Sequence, residues 1–109
     1  MALLINWKIA YQLANKLSEL ISEITVLFTD GTTAYFNNLS PTVDSDPGNK
    51  YFYVEYTLNL SLSQSKTIDW IQYYGFPNHE IRRTEVGLTL PAGNVVLKLR
   101  LCIPFQLED

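Results

Sequence analysis

Histidine and cysteine are almost missing from this sequence: His79 and Cys102 are the only ones. Nucleophilic, acid–base and zinc chemistry lean heavily on these two side chains. A single thiol excludes an intrachain disulfide and a cysteine-rich zinc site. His79 lies in Pro77-Asn78-His79-Glu80, the composition of an exposed turn, and Cys102 lies inside a regular alternating stretch where no sharp turn would present it to a substrate. An enzyme is therefore not expected. Glycines are few and scattered, so no phosphate cradle feeds a helix. Asp44, Ser45, Asp46 and Asn49 offer hard oxygen atoms, but without the spacing and terminal glutamate of an EF-hand, and they read as solvated loop acids. No metal or cofactor is expected.

Charge is scarce too. Charged residues make up 17% of the chain, against about 25% in an ordinary soluble protein. The net charge of −3 argues against a nucleic-acid partner, which would demand a basic patch to displace phosphate counterions. No run reaches the roughly 18 apolar residues of a membrane span. The apolar Met1–Ile5 precedes Lys8, the reverse of the order in a secretion signal, so a product made and assembled in a cytoplasm is expected.

What is present in quantity is hydrophobic, 47% of 109 residues, with polarity carried by Asn, Ser, Thr, Gln and Tyr. A chain of this length supports one domain. A surface with so few charges is poorly defended against association, and a homo-oligomer or a subunit of a larger assembly is expected.

The periodicity predicts a helix over residues 6–21 with Asn6 as its N-cap. Ile9, Leu13, Leu17, Leu20 and Ile24 form its apolar stripe, widened by Trp7, Ala10, Tyr11, Ala14 and Ile21. Residues 24–106 then read as antiparallel strands. Asp30-Gly31 separates two β-branched and aromatic runs and predicts a hairpin. The polar, proline-containing segment 37–50 reads as the longest loop. Along Tyr51–Ser63, Phe52, Val54, Tyr56, Leu58, Leu60 and Leu62 share one face, while Tyr51, Tyr53, Glu55, Thr57, Asn59 and Ser61 share the other. Strands follow at about Thr67–Tyr74 and Ile81–Leu90. A final hairpin across Pro91-Ala92-Gly93 puts Val95, Leu97, Leu99, Leu101, Ile103 and Phe105 on a core face. The fold expected is mainly β: an antiparallel β-sandwich of about six strands with one N-terminal amphipathic helix.

Aromatic residues supply the candidate contact surface. Tyr51 and Tyr53 fall on the polar face of the long strand, and Trp70, Tyr73 and Tyr74 cluster on the next. Such rings can pack across strands, meet a neighbouring subunit, or stack on a sugar as in a carbohydrate-binding sandwich module.

Tyr56–Leu62, Ile68–Phe76 and Val86–Leu101 together resemble the small β-sandwich proteins of tailed-phage particles, of the decoration, cement, neck or fibre-associated type, over residues 51–105. The N-terminal helix departs from that pattern. The resemblance implies a virion structural protein that acts by shape, assembled in the host cytoplasm with itself and with capsid, neck or tail proteins, and without nucleic acid or membrane.

Overall fold

The computed structural model describes residues 6–75 and 79–105. Asn6 caps the helix as its sequence position suggests: its side-chain oxygen accepts the Lys8 backbone N–H at 2.7 Å, meeting one of the donors a helix start leaves open. Helix α1 spans Trp7–Leu20 and passes without a loop into β1, Ile21–Phe28, three residues earlier than the expected strand start. Ile24, expected on the helical stripe, is thus a strand residue and fully buried.

Seven further strands follow: β2 Thr33–Phe36, β3 Thr42–Asp46, β4 Tyr51–Leu62, β5 Lys66–Gly75, β6 His79–Glu85, β7 Thr89–Leu90 and β8 Gly93–Pro104. One sheet has the order β2-β1-β5-β6, with β7 alongside β5, and the other the order β3-β4-β8. Every pairing is antiparallel. The two sheets close over Ile24, Val26, Phe28, Ile68, Ile71 and Tyr73 on one side and Val54, Tyr56, Leu58, Leu60, Leu97 and Leu101 on the other. Each large apolar side chain hidden in this way is worth roughly 1.5–3 kcal/mol. The sandwich expected from the alternating patterns is present, with eight strands among the described residues instead of about six.

The additional strands arise at particular places. Segment 37–50 is not one loop, because β3 lies inside it and pairs with the start of β4 from Thr42↔Glu55 to Asp46↔Tyr51. Only Val43 is apolar in Thr42–Asp46, so an edge strand held by main-chain bonds leaves almost no hydrophobic signature. Asp46 then closes the following turn by accepting from the Asn49 backbone and side chain, which holds its carboxyl below the ordinary carboxylate value. Asp44 is exposed on β3. The Asp30-Gly31 hairpin forms as expected: Gly31 takes a φ of +90°, and Asp30 accepts from the Thr32 backbone and hydroxyl.

The largest departure concerns Pro91-Ala92-Gly93. The expected strand Ile81–Leu90 breaks after Glu85, and the chain stays beside β5 through Val86 N–H to Asp69 O, Gly87 N–H to Ile68 O and Ile68 N–H to Leu88 O. Pro91-Ala92-Gly93 then carries the chain to the opposite sheet instead of folding it back as a hairpin. There β8 pairs with β4 over twelve residues without a register shift, from Leu62↔Gly93 to Tyr51↔Pro104. This partner wins because both strands alternate along their length, so pairing them puts nearly all their large apolar side chains, Val96 excepted, on one face. In the hairpin alternative, the core-facing Val95 and Leu97 would lie opposite Thr89 and Gly87, which offer no large apolar partner.

Helix α1 packs chiefly on β4, where Tyr11 meets Phe52 and Phe52 meets Phe105. It therefore covers the Phe52–Phe105 end of the β4–β8 ribbon. The junction with the sheet is tight at Gly75: a Cβ there would lie 2.8 Å from the Leu20 carbonyl oxygen and 2.9 Å from Ile81 Cδ1.

Candidate interaction surface

The five aromatic residues marked out by the sequence do not form one surface. Tyr73 faces the core at 3% exposure, against Tyr56 at a ring separation of 6.3 Å, because it shares the inward side of β5 with Ile71. Trp70 and Tyr74 lie on the outer face of the sheet containing β5. The Arg83 guanidinium sits 5.4 Å from the Trp70 ring centre and pairs with Glu80 at 2.8 Å. Between them Gln72 is buried. In the orientation that satisfies both its neighbours, its amide nitrogen donates to the Tyr74 hydroxyl at 2.7 Å and its oxygen accepts from Arg83 Nη2 at 2.6 Å.

Tyr51 and Tyr53 occupy the outer face of the other sheet, on the opposite side of the sandwich. Their rings meet edge-on at 6.0 Å. Arg100 lies 4.1 Å from the Tyr53 ring centre, and its Nε donates to Glu55 Oε2 at 2.6 Å. Arg100 thus covers Tyr53 and Arg83 covers Trp70, each arginine held by a glutamate. His79 opens β6 and is exposed, and Cys102 is exposed on β8. Among the described residues, no group of three His, Cys, Asp or Glu side chains converges on a metal-sized site, and no helix is long and apolar enough to cross a membrane.

An exposed apolar surface occurs where the sequence predicts core. The stripe of α1 is turned outwards: Ile9, Leu13 and Leu20 are 45–51% exposed, while Ala10 and Ala14 are fully buried. Each buried position follows an exposed one by a single residue, a rotation of about 100°. The cause is size. Alanines let the helix backbone approach β4 closely, whereas the larger side chains would hold it off. Trp7 and Tyr11, on the other shoulder of the buried face, are also exposed. Leu17, between the alanines and the stripe, is half-buried.

Leu17 also lines a groove of about 530 Å³ between the two sheets, with Ile81, Arg82 and Arg83 of β6 and Leu101, Cys102 and Ile103 of β8. Here the edge strands of opposite sheets run beside each other, and beyond β4 no strand pairs with β8 among the described residues. The sequence holds a partial signal for this region in the unbroken alternation of β8. That alternation fixes the faces of the strand but says nothing of which edge is left open.

No protein-family model, curated protein or solved structure is significantly similar to the chain.

Proposed function

We propose that this chain is a non-enzymatic structural subunit that works through protein–protein contacts, cementing or decorating a virus particle. The observation that carries the protein-binding reading is the outward row Ile9, Leu13 and Leu20 on α1. A contiguous apolar patch on a helix of a soluble domain is the kind of surface that a partner covers, and this chain has little charge with which to shield it. The virion assignment is supported by the resemblance of residues 51–105 to small phage sandwich proteins.

Burial of the α1 row against neighbours would supply the affinity. Sedimentation velocity over a micromolar concentration series tests this. The wild-type chain is expected to self-associate or to bind capsid, neck or tail proteins, and Leu13→Glu to weaken that association at least tenfold. A strictly monomeric wild type that binds none of those components would end the proposal.

A further inference from the structure

We propose that the open edge of β8 accepts an added strand from a partner protein, an extended segment in which apolar residues alternate with carboxylates. The inference rests on the reading of the chain as a protein-binding subunit, and it assigns the partner's chemistry at a surface separate from the α1 row.

Three features of the edge point to such a segment. First, β8 is twelve residues long, pairs with β4 without a bulge, and ends its sheet among the described residues. Its outer main-chain groups form an unbroken ladder template of the kind that strand addition uses. Second, the groove between Leu101 and Ile103 of β8, Ile81 of β6 and Leu17 of α1 lies beside that edge. In a strand, every second side chain points to the same face. An added strand would therefore turn alternate residues into this groove, where apolar ones match Leu17, Ile81, Leu101 and Ile103; Arg82 and Arg83 of β6 also line it.

Third, the charge left unpaired there is positive. Arg82, Arg83, Lys98 and Arg100 are four of the eight lysines and arginines in a chain whose net charge is −3. Glu80 engages Arg83 and Glu55 engages Arg100. Arg82 donates only to the Thr84 hydroxyl, and Lys98 meets no carboxylate among the described residues. Lys98 on the outer side of β8 and Arg82 beside the groove therefore leave uncompensated positive charge at the edge, which attracts a segment bearing carboxylates between its apolar residues. The same charge disfavours a second copy of β8: antiparallel two-fold pairing centred on Lys98, Leu99 or Arg100 would set cations opposite cations.

The test uses the full chain and a fluorescein-labelled seven-residue peptide alternating glutamate with valine and leucine, followed by fluorescence anisotropy. Saturable binding is expected. It should weaken at least tenfold when lysine replaces glutamate in the peptide, and by a similar factor in the protein variant Arg82→Glu with Lys98→Glu, whose circular dichroism should match wild type. A peptide N-methylated at alternate amides, on the side that would face β8, should not bind the unmodified protein, a result that does not depend on any protein variant. Absence of saturable binding at millimolar peptide would overturn the proposal. So would equal binding of the lysine peptide, or binding of an oligothymidylate of the same charge as tightly as the glutamate peptide. If the peptide fails while the Leu13→Glu effect on association persists, only this inference falls. If the peptide binds and Leu13→Glu changes nothing, the α1 reading falls instead.

Discussion

At the scale of single residues, the core holds an anomaly in Tyr56. Its side chain is 1% exposed, and its hydroxyl makes no hydrogen bond among the described residues. A buried polar group without a partner costs about 1–3 kcal/mol, so Tyr56→Phe is expected to stabilise the fold by about 1 kcal/mol. That would appear as a rise of roughly 4–8 °C in melting temperature. The same burial couples stability to alkali. It pushes Tyr73 up to about 12 and Tyr56 upwards as well, because a phenolate loses its hydration in the core. In the unfolded chain both lose their protons near 10. Above that pH the unfolded state binds fewer protons than the folded one, so stability falls as pH rises from about 10 towards 12 and is flat with respect to these groups below 10. Each core tyrosine adds at most about 1.4 kcal/mol per pH unit to that slope. Urea unfolding at pH 9 and pH 11 should show Tyr56→Phe losing less stability than wild type between the two. An equal loss would mean that Tyr56 does not stay protonated in the fold.

At the scale of elements, what could be read from the sequence was local. The alternation of Phe52 to Leu62 and of Val95 to Phe105 assigns their faces correctly, since side chains in a strand alternate whatever it pairs with. The Asn6 cap and the Asp30-Gly31 turn are equally local, each fixed within a few residues. The docking of α1 is not. A helix whose apolar arc runs from Ile9 and Leu13 through Leu17 to Ala10 and Ala14 can present several faces, and hydrophobicity alone favours the larger side chains. Close approach to β4 selects the alanines instead. Enlarging that contact is therefore expected to be costly: Ala14→Leu should destabilise the fold by about 1–3 kcal/mol through overpacking. Leu13→Ala, on the exposed row, should leave stability within about 0.5 kcal/mol. Chemical denaturation of the two variants separates the cases. If Leu13→Ala proved the more damaging, the helix would be docked by the stripe that the sequence favours.

At the scale of the whole molecule, the decisive fact is that the chain changes sheets at Asn37–Pro41, at Ser63–Ser65 and again at Pro91–Ala92. The candidate surface was illegible for this reason. Trp70 and Tyr74 were separated from Tyr51 and Tyr53 by the sandwich, and the open edge of β8 exists only because its strand leaves the neighbourhood of β7 to join β4. The two arrangements of the C-terminal third differ in a way that a cross-link can read. In the sandwich Val96 faces Asn59, both on the exposed side of their strands. A hairpin turning at Pro91-Ala92-Gly93 would place it opposite Leu88. With Cys102→Ser as background, Asn59→Cys with Val96→Cys is expected to oxidise to an intrachain disulfide, since facing strand positions fall within the about 4.4–6.8 Å Cα separation such a bond requires. Leu88→Cys with Val96→Cys should remain reduced under the same conditions. Mass spectrometry of the oxidised, proteolysed chains identifies the bond. A Leu88–Val96 link would return β8 to a hairpin, remove its pairing with β4, and take with it the edge on which an added strand could be held.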